Sequence, residues 1–596
     1  MMDIARDPRW GRIAESFGED PYLSSKMAVA VVDGYQGKSL SDSKSMAACA
    51  KHFVGYGAAE GGRDYNTTYI PRRALYDTYF PPFKACVEAG IASFMSSFND
   101  NDGEPATGNG WLLNDVLRAE WGFDGMVVSD WGSVGGLVPH GAAASKREAA
   151  KTCIVAGCDM DMMSYSYLRN IKNLIDDGEL QVSVLDDAVR RVLKLKFRLG
   201  LFDEPYSRKV EKTAIYSSDV KDVACALAEE STVLLKNDGL LPLGNDVRHI
   251  VVTGPMADAP YDQLGTWSLD GDKSCTVTPL AAMREMLPEN IRLDYIPVLD
   301  YPRDENTTGF KHLRKAAKNA DVVIAFVGEE QMMSGEAHSL SSLHLQGHQT
   351  ELLREIAESG TPLVTVVMAG RPLVMDEATS LSSSLLYMWH PGTMGGPAIV
   401  NLLWGRACPS AKLPVTFPRN EGQIPMYYNH KHTSHIAKGT EGDLSRVPRE
   451  KPQSVMGHTS SYLDVPPTPQ FPFGFGLTYT NFEIGSPQLE STEVNLDGIL
   501  KVSVELGNVG KMQGTEVLQF YVSKKSASVT RPIKELKGFV RVTLDAGKKC
   551  VVEYEIPVKD LAFCRKDMTW GVERGTYSLM VGNDSEHLKE VKFKIM

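Results

Sequence analysis

The period of the hydrophobic positions divides this chain into three stretches. From residue 1 to about 206, short apolar runs alternate with segments of helical spacing. In 22–36 the apolar residues recur three and four apart, as on a helix that buries one face. The small, apolar stretch 45–54 predicts a strand, 75–89 a helix, 91–98 a strand and 110–120 a helix. A strand then ends at Asp130, and 145–156, 159–163 and 184–199 continue the alternation. This βα rhythm predicts a parallel sheet or barrel. It closes in RRVLKLKFRLGLFDEPY, where a basic helix end meets a glycine and a proline.

A second βα series covers 216–425. Apolar strand candidates at 249–253, 321–327, 363–368 and 385–389 alternate with helical segments at 310–319, 347–359 and 395–404, which predicts an open α/β sheet. Residues 426–470 are rich in His, Pro, Ser and Thr without a period, and read as a surface linker or arm. From Phe471 to residue 596 the period falls to two, in LKVSVELGNVG, TEVLQFYVSK, KELKGFVRVTL, CVVEYEIPV and GTYSLMVGND. Turn signals at that spacing predict a small β-sandwich.

Composition narrows the function classes. The 596 residues suit about three or four domains. A hydrophobic fraction of 43% with 23% charged residues is ordinary for a globular protein. The net charge is −12, and Lys and Arg are dispersed, so nucleic acid is not expected as a partner. No apolar run approaches the roughly 20 residues of a membrane span. The nine cysteines are scattered and lack a CxxC spacing, so neither a zinc site nor a disulfide framework is implied.

Four groups carry candidate chemistry. In WGFDGMVVSDW (121–131), Met126, Val127 and Val128 form a run suited to a covered parallel strand, and Asp130 follows where that strand emerges. In a strand–helix barrel that end is the catalytic face. Lys51 and His52, in CAKHFVGYG, sit at the end of another strand and supply donors for hydroxyls or oxyanions. The opening DIARDPRWGR brings Arg12, whose guanidinium can donate a forked pair of hydrogen bonds. Glu336, in SGEAHSLSSLHLQGHQ, stands on a glycine-flanked loop, as a movable acid would. Taken alone, an Asp after a strand is more often a cap, and a loop Glu is more often a solvated surface group. Together they make two carboxylates with Arg, Lys, His and Trp131, without a phosphate loop or dinucleotide fingerprint. That set fits glycosidic hydrolysis, in which one carboxylate attacks and the other moves the proton, while an aromatic wall packs on the sugar.

At this point the chain resembles the three-domain β-glucosidases of glycoside hydrolase family 3. DPRWGR, AKHFVGYG, GFDGMVVSDW, AEESTVLLKNDGLLPL, LGTWS, LPVTFPR, FPFGFGLTYT and TRPIKELKGF stand in the family's order along nearly the whole chain. The resemblance implies a (β/α)8-type barrel over 1–206, an α/β sandwich over 216–425 and a fibronectin type III-like domain over 471–596. It implies Asp130 as nucleophile and Glu336 as acid/base, from different domains, at a domain interface. Arg12, Lys51 and His52 become donors to the nonreducing-end sugar, with Trp131 beside the ring. Retention of configuration follows, with the carboxyl groups about 5 Å apart. The implied partner is an oligosaccharide or glycoside. No cofactor and no metal are implied, a homodimer is left open, and the location implied is periplasmic or secreted. The alternatives are a β-xylosidase or dual β-xylosidase/α-arabinofuranosidase, and an inactive carbohydrate-binding remnant.

Some positions depart from the family pattern. Leu340 and Gln346 stand where the family has an Arg and a Pro after the acid/base, and the missing Arg is expected to loosen that loop. Phe98 replaces a Tyr, and Met394 a Glu. In relatives DIARDPRWGR is preceded by further strands and by a D-x-x-HG segment whose Asp clamps sugar hydroxyls. The expectation is therefore an N-terminally truncated barrel, folding poorly beside well-folded second and third domains.

Overall fold

The computed structural model describes residues 1–206, 215–436 and 443–596. It comprises two compact units, Met1–Glu211 and Lys212–Met596. In the first unit, strands Cys49–Phe53, Ser93–Ser96 and Met126–Val128 form a parallel sheet in that order. Ala50 lies beside Phe94 and Phe94 beside Val127. All three are buried, as expected of a sheet covered on both faces. Around them pack Phe53, Phe80, Phe83 and Leu117.

Helices fall where the period placed them. Pro21–Gln36 begins with Asp20, whose carboxylate accepts the Leu23 N–H at 2.7 Å, and has a proline in its first turn. Lys146–Ala156 is capped by Ser145 and stopped by Gly157, whose φ of 103° suits a residue without Cβ. Trp111–Glu120 is wound as a π-helix, and Val182–Arg198 closes the series. The polar helix Ser166–Asp176 escaped the hydrophobic period.

The strand expected at 159–163 is reduced to a single bridge, Val128 with Met160. Here the chain serves the neighbouring strand end instead of extending. The Asp159 carboxylate accepts the Val127 N–H at 2.9 Å, and the Met160 carbonyl accepts the Ser129 N–H at 2.9 Å. At Met163 φ is +66°, outside strand geometry.

The second unit opens with a six-stranded sheet. Its order is Val233–Asn237, Ser384–Tyr387, Leu363–Met368, Val322–Gly328, His249–Thr253 and Arg292–Tyr295. All pairs are parallel except the first, in which Val233–Asn237 runs antiparallel. Every residue of Val322–Gly328 and Leu363–Met368 is buried, because helices cover both faces. The edge strands Val233–Asn237 and Arg292–Tyr295 are the two that the sequence period did not single out. Within 426–470 the described residues hold only short 3₁₀ turns and a bridge, and 437–442 of that stretch lie outside them.

The C-terminal part pairs two antiparallel layers. One contains Ile499–Asn508 and Lys549–Pro557, the other Gly514–Ser523, Glu535–Leu544, Gly575–Gly582 and Leu588–Ile595. Leu500, Val502, Val504 and Leu506, at every second position, meet Leu518, Phe520, Leu579 and Val581 in one core.

Candidate active site

In the first unit the candidate residues converge on the strand ends. Asp130, 7% exposed, follows Met126–Val128, and its Oδ1 accepts the Trp131 N–H at 2.7 Å. The position is fixed from the far side of the strand. Ser129 Oγ accepts the Met162 N–H at 2.9 Å, and Arg118 donates to the carbonyls of Gly125 and Gly157 and to Asp159. Arg191 donates to the other Asp159 oxygen at 2.7 Å. Burial pushes the Asp159 carboxyl up, against the two guanidinium groups that pull it down.

His52 lies 1% exposed on Cys49–Phe53, with each ring nitrogen turned to a carboxylate. Nε2 is 3.3 Å from Asp130 Oδ2, and Nδ1 is 3.0 Å from Asp3 Oδ2. The same Asp3 oxygen accepts the His52 backbone N–H at 2.8 Å. Asp3 therefore sets the angle at which the imidazole meets the candidate nucleophile. Nothing in the linear pattern separated Asp3 from the other acids of the opening, because its partner lies 49 residues away.

Arg12 is buried in the turn Gly11–Glu15. Its Nε and Nη2 donate to the two oxygens of Glu15 at 2.8 and 3.1 Å, so the fork expected to meet a sugar is turned to Glu15 here. A guanidinium out of water needs a carboxylate beside it. The Arg12 guanidinium lies 5.5 Å from the Tyr56 ring centre, and Tyr56 packs edge-on to His52 at 5.2 Å. Burial and the nearby Asp64 carboxylate push the Tyr56 phenol well above its ordinary range. Asp64 also accepts the Trp10 indole N–H at 2.7 Å. Tyr56, inside CAKHFVGYG but not singled out there, joins the site with Asp64 and Glu15. Lys51 adjoins His52 and is half-buried, and its carbonyl accepts the Met2 N–H. Trp131 is 63% exposed, so its indole face is open to a ligand. Phe98 packs tilted against Tyr56 and edge-on to Tyr65, an apolar ring where a Tyr would add a hydroxyl.

Glu336 belongs to the second unit, in the loop after Val322–Gly328. It is half-buried and sits between two left-handed residues, Gly335 at φ 101° and Ala337 at φ 60°. A Cβ on Gly335 would come 2.1 Å from Thr266 Oγ1, so only glycine fits the approach of 265–267 to this loop. Glu329, at the loop's start, pairs with Arg371 at 3.0 Å, and both are buried. Burial pushes the Glu329 carboxyl up, and Arg371 opposes that shift.

A carboxylate at a parallel strand's end, beside Lys, His and Arg side chains and an exposed indole, is the equipment of enzymes that cleave glycosides. Comparison with known proteins fixes the family within that class. Residues 1–195 match the glycosyl hydrolase family 3 N terminal domain, 232–479 the glycosyl hydrolase family 3 C-terminal domain and 516–585 the fibronectin type III-like domain. The chain belongs to glycosyl hydrolase family 3. It is 38% identical to the periplasmic beta-glucosidase of Salmonella typhimurium, over 100% of this chain and 80% of that protein. It is 36% identical to a beta-xylosidase of Formosa agariphila, over 100% of this chain and 82% of that one. Among solved structures, the beta-glucosidase from Listeria innocua in complex with isofagomine superposes with a TM-score of 0.93 at 38% identity. That likeness covers 100% of this chain and 81% of the Listeria chain.

Proposed function

We propose that this glycoside hydrolase is an exo-acting, retaining β-glucosidase that removes terminal β-D-glucosyl residues from short oligosaccharides or glycosides. The observation that carries the reading is the placement of Asp130: buried at a strand's C-terminal end, held by the Trp131 N–H and faced by His52. In the first step an Asp130 oxygen bonds to the anomeric carbon while the bond to the leaving oxygen breaks. Glu336 gives its proton to that oxygen. In the second step Glu336 takes a proton from water, the water oxygen bonds to the anomeric carbon, and the Asp130 carboxylate is released. Lys51 and His52 bind hydroxyls of the terminal sugar, joined by Arg12 once its fork turns from Glu15, and Trp131 packs on its apolar face.

Glucose as the sugar is supported by the Salmonella relative and by the Listeria enzyme, one of whose structures is a complex with glucose. The Formosa relative keeps xylose as the second reading. Among the described residues no helix is long and apolar enough to cross a membrane, and the Salmonella relative's name supports a periplasmic location.

Hydrolysis of p-nitrophenyl β-glucoside and β-xyloside, with Asp130→Ala as control, tests the reading. Faster turnover of the glucoside, lost in the variant, supports it. Preference for the xyloside, or turnover that survives in Asp130→Ala, contradicts it.

A further inference from the structure

The acid/base loop is gripped at both sides of Glu336 by one side chain. Arg371 is 0% exposed and follows the strand Leu363–Met368. Its Nη2 donates to the carbonyl of Met333 and, at 2.9 Å, to that of His338. These carbonyls flank Glu336 on the two sides of the loop's neck. Its Nε donates to Glu329 at 3.0 Å, so the loop's first residue is held by the same group. The Gly370 N–H reaches the other Glu329 oxygen at 3.3 Å, and the Tyr387 hydroxyl donates to the Arg371 carbonyl. The guanidinium is thus fixed from its own backbone outward.

A second, uncharged contact closes the same neck. Ser334 Oγ lies 3.1 Å from Nε2 of His390, which follows the strand Ser384–Tyr387. A Cβ on Gly370 would come 2.5 Å from Ser334 Oγ and 2.7 Å from His390 Nε2, so this approach requires glycine.

We propose that Arg371 is the positioning residue for the general acid: through Met333, His338 and Glu329 it holds the loop that aims the Glu336 carboxyl, with Ser334 and His390 as a second latch. The proposal rests on the reading of Glu336 as acid/base. Only a planar, multiply donating cation satisfies Glu329 and two carbonyls at once, and Lys offers a point charge on a flexible stem.

The test varies the leaving group. Loss of acid assistance slows departure of a poor leaving group and spares a good one. In the full chain, kcat/KM is measured for 2,4-dinitrophenyl β-glucoside and methyl β-glucoside in Glu336→Ala, Arg371→Lys and Ser334→Ala, with folding checked by circular dichroism. Glu336→Ala is expected to lose about 10²-fold or more on the methyl glucoside and little on the dinitrophenyl one. Arg371→Lys is expected to show the same selectivity at about 10- to 100-fold, and Ser334→Ala at a few-fold. An Arg371→Lys enzyme that is folded and loses equally on both substrates, or on neither, overturns the proposal. If Arg371→Lys does not fold, Ser334→Ala decides by the same criterion. Absence of selectivity in Glu336→Ala removes the Glu336 assignment itself, and the clamp with it. Selectivity in Glu336→Ala but not in the latch variants removes the clamp alone.

Discussion

Asp3→Asn isolates what orients the candidate nucleophile's neighbour. In the native chain Asp3 Oδ2 takes two hydrogen bonds from His52, the backbone N–H at 2.8 Å and the ring Nδ1 edge at 3.0 Å. Both residues are buried, so water does not replace what is lost. Hydrogen bonds to a charged group contribute about 1.5–3 kcal/mol each, and neutral ones about half as much. The amide keeps the shape and removes the charge, which weakens the hold on His52 by about 1–3 kcal/mol in total. If half of that is felt where Nε2 faces Asp130, kcat/KM falls about 2- to 13-fold, since 1.36 kcal/mol corresponds to a factor of ten. The assay is steady-state hydrolysis of an aryl β-glucoside, with kcat and KM resolved and the thermal midpoint followed alongside. A folded Asp3→Asn enzyme with kcat/KM within twofold of the parent would show that Asp3 does not set the angle of His52 at Asp130.

Two further outcomes follow from the buried charges. Asp159→Asn strands the Arg118 and Arg191 guanidiniums behind the strand that carries Asp130, and is expected to cost about 3–5 kcal/mol, read as a lowered thermal midpoint. An unchanged midpoint would show that the ion triad is not holding that strand end. Burial, with Arg371 nearby, pushes the His390 imidazole down to about 4 from its ordinary 6.5. Between those values the unfolded chain binds a proton that the folded one refuses, so this residue costs stability as pH falls from 6.5 towards 4, about 3 kcal/mol in full. His390→Phe should therefore lose less thermal stability than the parent over that acid window, and parallel curves would contradict the assignment.

What the sequence made legible followed from period and strand-end logic. The covered strands Val322–Gly328 and Leu363–Met368 are continuous apolar runs, and the sandwich strands alternate, so both kinds were visible in one dimension. Asp130 was legible because its strand, glycines and carboxylate are contiguous. The edge strand Arg292–Tyr295 was not, since an edge needs less apolar character than a centre. The segment 159–163 misled because it stood where the βα rhythm called for a strand, whereas the Asp159 carboxylate caps a neighbour's backbone. Asp3 and Arg371 act through partners distant in sequence or through backbone carbonyls, and no residue pattern records those.

Double displacement requires that Asp130 form a covalent bond to the sugar. An activated 2-deoxy-2-fluoro β-glucoside slows both steps of double displacement but leaves the first the faster, so the intermediate accumulates. After incubation, protease digestion and mass spectrometry, the account predicts one glycosylated peptide spanning 126–131, modified on Asp130 and absent in Asp130→Ala. A stable adduct on any other residue, or turnover of the parent glucoside with no adduct, would contradict it.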